Sequence, residues 1–352
     1  MSHKEIMFVV GAGASQEVEI PTGDDIKDNI STILDFQYRK GPNLTSGDKV
    51  VYGSMIKHLN SENRFAEKIG DYIEASRLIR DAMPQASSID NFIDQHRGNA
   101  ILELCGKLAI VKSILDAEKG STLSFDKNNI YNKPDFSHLT ETWFAKFWQL
   151  LTNNCTAEQL EVRLSSIGLV VFNYDRCIEH FLYYSLQNYY KMASERAAEL
   201  VRGIELFHPY GTVGDLPWFN GEASIDFGEK PNSKKLLELA GQVKTFSEGT
   251  DPESSDIERI RNAMAESDKI VFLGFAFHGQ NLELIKSANI DNPRHGGALC
   301  YGTAYGISES DRQIIVKEIA SVCRTQPNQV FLKIDLTCAQ LFKEFRKGLS
   351  FP

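Results

Sequence analysis

Short apolar runs alternate with longer stretches of helical periodicity through the second half of this chain. Each run is long enough for one strand, and uninterrupted apolar runs are typical of strands buried on both faces of a parallel sheet. A further run near the start ends in four apolar residues, Met7 to Val10. The predicted strands are residues 5–10, 167–172, 204–207, 270–273, 298–301 and 330–334. The predicted helices are residues 175–200, 232–247, 254–266, 280–288, 308–321 and 337–346.

This alternation predicts an α/β fold with a doubly wound, mostly parallel, Rossmann-like sheet. Residues from about 50 to 166 differ, because helical periodicity dominates there and strong strand signals are missing. Since the first strand belongs with the later ones, the helical stretch is predicted to be inserted into one sheet domain. The predicted sheet domain is residues 1–38 and 166–352. The predicted insertion is a helical module at residues 39–165, serving as a regulatory or oligomer surface.

An aromatic stripe at helical spacing lies within the predicted helical module. Stripes of this kind are usually interior faces of helices, so a helix-packing core is the favoured interpretation. An oligomer or partner interface is the main alternative. The stripe consists of Trp143, Phe144, Phe147, Trp148 and Leu151.

Composition and charge narrow the class of protein. The 352 residues are 42% hydrophobic and 24% charged, as in ordinary folded proteins, and the formal net charge is −9. That charge argues against a broad nucleic-acid-binding surface. No apolar run approaches the ~20 residues needed to span a bilayer, and no signal peptide is evident. The six cysteines are scattered without a Cys-x-x-Cys pair, so we expect a cytoplasmic protein with reduced thiols and no metal.

A glycine-rich turn follows the first predicted strand. Gly11 and Gly13 permit a tight turn and close approach of the backbone to a pyrophosphate, and Ser15 can add a hydroxyl contact. The third position after Gly13 is Gln16, so the dinucleotide-binding fingerprint is incomplete. A purely structural strand-to-helix turn is the alternative.

Three polar side chains follow predicted strands at the edge where ligands bind in such sheets. Asn173 and Asp175 come directly after the strand at 167–172, and His208 follows the next one. Turn formation and helix capping are the alternative roles for the first two. His208 is a better general-base candidate than His58 or His96, which lie in the helical module.

Two further strand exits carry glycine turns. One contains Gly274 and Phe275, and the other contains Gly302 and Thr303. Loops that converge on the same edge would suit the ribose and adenine of a dinucleotide. Asn281 is a weaker candidate, because an exposed residue near a helix start is its more common role.

Together these residues resemble the sirtuin-like domains of bacterial anti-phage defence, which hydrolyse NAD. The matching segments occur in the order found in that family and span nearly the whole chain. They are Gly11-Ala12-Gly13-Ala14-Ser15, Pro21-Thr22-Gly23, Ser88-Ile89-Asp90-Asn91-Phe92, Phe172-Asn173-Tyr174-Asp175, His208-Pro209-Tyr210-Gly211, Phe272-Leu273-Gly274-Phe275 and Tyr301-Gly302-Thr303.

The resemblance implies a role for each matching residue. It places the pyrophosphate of NAD on the glycine loop and Asn173 beside the nicotinamide ribose and a water molecule. It makes Asp175 the residue that holds the carboxamide and His208 the base beside the ribose hydroxyls. The residues implied to contact NAD are Gly11, Ala12, Gly13, Ser15, Thr22, Asp175, Gly274, Phe275, Gly302 and Thr303.

The chain departs from deacylating sirtuins in two places. It has no cysteine between Cys177 and Cys300, whereas those enzymes carry four zinc-binding cysteines after the histidine. Their Ile-Pro-Asp-Phe-Arg loop is replaced here by residues Ile20 to Asp24. Both departures count against a groove for acyl-lysine peptides.

We therefore predict a NAD hydrolase that releases nicotinamide and ADP-ribose, with NAD as substrate, in antiviral defence. The resemblance implies a homo-oligomer and a separate defence partner, such as a HerA-type ATPase or a phage sensor, because the chain ends soon after the sheet. A non-catalytic NAD or ADP-ribose sensor is the alternative. A protein deacylase is less favoured. A dehydrogenase is also less favoured, because Asp35, the acidic residue near the required place, falls in a predicted helix.

Overall fold

The computed structural model describes residues 3–39, 44–60, 68–128, 135–219, 221, 223–249, 256–287 and 297–351. Eight strands lie in these residues. They are β1 Lys4–Val10, β2 Gln37–Tyr38, β3 Leu44–Ser46, β4 Ile167–Val171, β5 Glu205–Phe207, β6 Ser267–Leu273, β7 Leu299–Thr303 and β8 Val330–Lys333.

Helices make up most of the rest of the described chain. They are α1 Ala12–Ser15, α2 Gly23–Ile33, α3 Lys49–Asn60, α4 Ile69–Ala82, α5 Ile89–Gln95, α6 Ala100–Gly120, α7 Trp143–Thr152, α8 Leu160–Ser165, α9 Cys177–Tyr190, α10 Ser194–Arg202, α11 Ser233–Ala240, α12 Phe246–Gly249, α13 Ile257–Ala265, α14 Gly279–Leu284, α15 Glu309–Val322, α16 Cys338–Glu344 and α17 Arg346–Leu349.

Six of the strands form one parallel sheet in the order β5-β4-β1-β6-β7-β8. This is the strand order 3-2-1-4-5-6 of the Rossmann fold. The predicted doubly wound parallel α/β sheet is therefore confirmed. The chain moves outward from β1 through β4 to β5, then returns to place β6 on the other side of β1. The point of reversal opens a crevice at the carboxyl ends of β1 and β6.

The predicted strands agree with the observed ones to within a few residues, and several predicted helices are divided. The single helix predicted at 175–200 is wrong, because α9 ends at Tyr190 and α10 begins at Ser194. Lys191 between them adopts the left-handed conformation, with φ of 55°, which ends the first helix. Residues 254–255 and 288, at ends of two other predicted helices, lie outside the described residues.

Side chains of the central strand alternate between two hydrophobic cores. Met7 and Val9 face the layer that contains α2 to α6, α11 and α13 to α15. Ile6, Phe8 and Val10 face the layer that contains α7 to α10, α16 and α17. Because β1 is apolar on both faces, it requires this double cover.

The aromatic stripe on α7 is interior, as the favoured interpretation predicted. Its five residues are buried in the second core. The Phe147 ring meets Phe8 of β1 edge to face, with ring centroids 5.0 Å apart. The stripe therefore fixes α7 against the sheet.

The region predicted as a helical module holds α3 to α8 in its described part. The first four of these helices pack in one layer and the last two in the other. The small antiparallel hairpin of β2 and β3 crosses the predicted boundary at residue 38. The division into domains stays a prediction.

The cysteines are free thiols, and five of the six are buried. Within the described ranges, no group of three or more acidic, histidine or cysteine side chains is placed to hold a metal ion. In the same ranges, no helix combines the length and apolarity needed to cross a membrane.

Candidate functional site

The glycine loop after β1 packs directly on the loop after β6. The Gly11 amide donates to the carbonyl of Leu273 at 2.9 Å, and the Gly13 amide donates to the carbonyl of Gly274 at 3.0 Å. A Cβ atom added at Gly11 would lie 2.6 Å from the Gly274 carbonyl oxygen. These glycines are thus required by backbone packing at the crevice, whether or not a ligand binds there. Ala12 begins the one-turn helix α1 next to them.

Asn173 joins the exit of β4 to this glycine loop. Its side chain is buried, and Nδ2 donates to Ser15 Oγ at 2.9 Å and to the Gly11 carbonyl at 3.2 Å. Three residues predicted from two separate motifs therefore meet at the carboxyl end of β1. The amide nitrogen uses both of its protons on protein acceptors.

Asp175 holds the start of the following helix. Its buried carboxylate accepts a hydrogen bond from the Cys177 amide, with Oδ1 and N 3.1 Å apart. The N-cap residue of α9 is Arg176, so Asp175 lies one residue before the N-cap position that the sequence offered as its alternative role. The helix α9 also carries Glu179, the charged residue that contacts His208.

His208 follows β5 and contacts two oxygen atoms. Its Nδ1 lies 3.2 Å from the backbone carbonyl oxygen of Asn173, and its Nε2 lies 2.9 Å from Glu179 Oε1. The side chains of His208 and Glu179 are only 11% and 7% exposed. Burial alone lowers the pKa of His208. The Glu179 carboxylate, the Asn173 carbonyl and the Asp175 carboxylate together outweigh burial, and the pKa is raised above its ordinary 6.5.

A cavity of about 80 Å³ opens beside His208 and is also lined by Glu179, Arg176 and Asp215. This volume holds a few water molecules rather than a dinucleotide. One wall is fixed by Arg176, which forms a fully buried ion pair with Glu118 of α6 at 2.5 Å. Arg176 also donates to backbone carbonyls of the loop after β5, so the wall is rigid.

A larger cavity of about 620 Å³ lies between α2 and α6. Gln16, the residue after Ser15, lines it together with Pro21, but residues 11–15 of the glycine loop do not. Three carboxylates also line it, those of Glu19, Asp25 and Asp116, and the last of these is paired with Lys112.

Thr22 lies at the start of α2 rather than among the clustered site residues. Its hydroxyl donates to Asp25 Oδ2 at 2.7 Å, and its amide donates to the same oxygen at 2.9 Å. Both hydrogen bonds run from Thr22 to Asp25, the pair of residues that forms the capping box of α2. The structure therefore gives Thr22 a helix-capping role.

The two remaining predicted loops carry Gly274 with Phe275 and Gly302 with Thr303. One residue of each loop lies at the crevice and the other is packed in the interior. The Gly274 amide donates to Thr303 Oγ1 at 3.2 Å, so these residues meet near the glycine loop. Phe275 is buried against Phe172, with ring centroids 5.1 Å apart. Gly302 lies inside β7, where a Cβ atom would meet the side chain of Phe272 at 3.2 Å.

Two tyrosines tie the site segments to neighbouring helices. Tyr174, between the two predicted residues of its motif, donates to Asp90 of α5. Burial raises the pKa of Asp90, although the Tyr174 hydroxyl opposes this. Tyr210, two residues after His208, donates to Asn281 of α14 at 2.5 Å.

Glu179 is the site residue that the sequence analysis missed. A usable signal was present, since Glu179 lies four residues after Asp175, one turn along the helix that follows the motif. Residues at this spacing share a helix face, and that face meets the exit of β5. The sequence did not say that His208 would be the residue it meets.

No protein-family model matches the sequence, and a search of curated proteins gave no match.

Proposed function

We propose that this protein is a NAD⁺ glycohydrolase that releases nicotinamide and ADP-ribose and acts in the cytoplasm as the toxic effector of an anti-phage system. The observation that carries the proposal is the position of Asn173. Its amide joins Ser15 and the glycine loop at the crevice of a Rossmann-type sheet, with His208 against its backbone. The resemblance to sirtuin-like hydrolases assigns NAD to this arrangement.

The proposed chemistry makes modest demands on the protein. The leaving nitrogen of NAD⁺ is positively charged in the reactant, so the transition state resembles an oxocarbenium ion. Asn173 orients a water molecule and a ribose hydroxyl, and His208 takes up the proton that the water releases. Such positioning is worth ~7–11 kcal/mol, and a positioned base contributes ~10²–10⁴ in rate.

The pyrophosphate of NAD⁺ is assigned to the glycine loop. The nicotinamide riboside is assigned to the crevice beside Asn173 and His208, because these residues are proposed to act on the bond that it carries. The 620 Å³ cavity between α2 and α6 is lined by neither residue and has no part in the proposal.

The proposal includes an oligomer and a separate partner. Uncontrolled hydrolysis of NAD would kill the host cell, so the activity requires a gate. The family resemblance supplies the expected form of that gate, a homo-oligomer with a HerA-type ATPase or another phage sensor. Direct nucleic-acid binding by this acidic chain is not part of the proposal.

The test is nicotinamide release from NAD⁺ by the purified chain across a range of protein concentrations. We expect release by the wild type and none by Asn173→Ala, with unchanged circular dichroism. Asn153→Ala is the matched control, because Asn153 is an exposed amide at the far end of α7. Wild-type rates in Asn173→Ala would contradict the assignment.

A NAD or ADP-ribose sensor is the second candidate, and one observation favours it. The Asn173 amide and the glycines already have structural partners within the protein. Calorimetric binding of NAD⁺ that Asn173→Ala leaves unchanged, with no nicotinamide formed at any protein concentration or after addition of a co-purified partner, would favour the sensor over the hydrolase.

A further inference from the structure

The His208 ring lies between two groups that can only accept hydrogen bonds. One is the backbone carbonyl of Asn173 at Nδ1, and the other is the carboxylate of Glu179 at Nε2. A neutral imidazole has one N–H and one lone pair, so one of the two contacts would set lone pair against lone pair. The doubly protonated ring donates to both.

We infer that Glu179 is a positioning residue that keeps His208 in its doubly protonated, cationic form. The contact is the closer of the two, and both side chains are nearly buried. Among the described residues, the second oxygen of Glu179 has no hydrogen-bond partner. Loss of the His208 proton would therefore leave a buried carboxylate without its main compensating charge.

The other charged groups around the ring do not reverse this. Arg176 of the same cavity is already paired with Glu118. Asp175, at the start of α9, adds a further attraction for the imidazolium. Asp215 lies across the cavity and is half-buried. Burial raises the pKa of its carboxyl group, although the charge of Arg176 opposes this. The balance agrees with the raised pKa of His208.

The catalytic consequence rests on the proposed hydrolysis of NAD⁺. In that reaction the C1′–nitrogen bond breaks with its electron pair going to nicotinamide, and a water oxygen bonds to C1′. The proton lost by the water needs an empty acceptor. His208 becomes one only after its own proton has passed to solvent, so turnover is expected to rise with pH through the His208 pKa.

The test is an NMR titration of the histidine ring signals in the full chain, with His208 assigned by comparison with His208→Gln. We expect the wild-type His208 pKa to lie above 6.5. In Glu179→Gln we expect it to fall by ~1–3 units. The glutamine amide introduced by this substitution can donate to Nε2, which suits the neutral ring that keeps its proton on Nδ1.

Asp215→Asn is the matched control, since it removes a carboxylate from the same cavity without touching the ring. We expect a smaller shift from it than from Glu179→Gln. A wild-type pKa at or below 6.5, or equal shifts from the two variants, would overturn the inference. If Glu179→Gln fails to fold, the wild-type titration still tests whether His208 is cationic, because a pKa at or below 6.5 overturns the inference by itself.

A pH profile of nicotinamide release separates this inference from the proposed function. A cationic His208 in a chain that cleaves no NAD⁺ supports the inference and contradicts the function. Cleavage of NAD⁺ by a chain whose His208 pKa lies at or below 6.5 supports the function and contradicts the inference. If both hold, the rising limb of the wild-type profile moves to lower pH in Glu179→Gln.

Discussion

At the scale of single residues, a tight backbone constraint lies at Gly274. Its φ is +54°, and an added Cβ atom would lie 2.0 Å from the amide nitrogen of Ala14 and 2.3 Å from the carbonyl carbon of Gly13. The loops after β1 and β6 can therefore meet only if this residue lacks a side chain. The close approach of the two loops does not follow from the sequence alone, since the residues that meet lie far apart along the chain.

We expect Gly274→Ala to lower the free energy of unfolding by more than the ~1–2 kcal/mol that left-handed backbone alone costs an L-residue, because backbone atoms must also separate. Gly279→Ala is the matched control. Nothing lies within 4 Å of its added Cβ, and its φ is ordinary. Urea denaturation of both variants measures the difference, and equal midpoints would refute the close packing described here.

The sequence placed Asn173 and His208 at strand exits correctly, because apolar runs mark where buried strands end. It did not predict their contacts. Asn173 finds Ser15 and Gly11 through strand pairing, and His208 finds Glu179 through the packing of a helix. Partners of this kind depend on how elements dock in space. For the same reason the sequence did not predict the capping role of Thr22.

At the scale of elements, strands were easier to predict than helix ends. A strand buried on both faces is a continuous apolar run, which is easy to recognise in the sequence. The break after α9 falls at Lys191, and the sequence has neither glycine nor proline there to predict the end of a helix. The layering of α3 to α8 on both faces was also beyond the sequence, because periodicity shows that a helix has an apolar face but not which surface it meets.

Helix α5 is fastened to the Asn173 segment by the hydrogen bond from Tyr174 to Asp90. Tyr174→Phe keeps the ring but leaves the part-buried Asp90 carboxylate without its donor, so we expect a loss of ~1–3 kcal/mol in the free energy of unfolding. Hydrogen exchange should quicken first in α5.

Tyr189→Phe provides the control for this change, since Tyr189 is 59% exposed and its hydroxyl can turn to water. We expect that variant to unfold like the wild type. Equal stability of Tyr174→Phe and Tyr189→Phe would show that the contact does not hold α5 in place.

At the scale of the whole molecule, two buried histidines shape stability in opposite directions. Burial lowers the pKa of His180 to about 3, so the folded protein stays neutral there while the unfolded chain takes up a proton below pH 6.5. The contribution of His208 has the other sign. Its folded pKa is raised, so its stabilisation is complete below 6.5 and is lost as the pH rises through the folded value.

These two groups together predict greatest stability near pH 6.5, with losses on both sides. Because its folded pKa is lowered, His180 reduces the free energy of unfolding by about 2 kcal/mol at pH 5. Thermal or urea unfolding across pH 4.5–9 tests this. His180→Gln should flatten the acid side, and Glu179→Gln the alkaline side. His138→Gln changes an exposed ring and should leave the profile as it is. A wild-type profile without a fall on either side would contradict both assignments.

The central place of β1 has a consequence for biosynthesis. This strand is made early, yet its neighbours β4 and β6 follow roughly 160 and 250 residues later, which at ~5–20 residues per second leaves it unpaired for roughly 10–50 s. An apolar strand with two open edges needs shielding during that time. Under the proposed function, the delay would also protect the cell. The loops that carry Gly11, Asn173 and Gly274 meet only once β6 has been translated, so nascent and prematurely terminated chains lack the crevice to which the toxic activity is assigned.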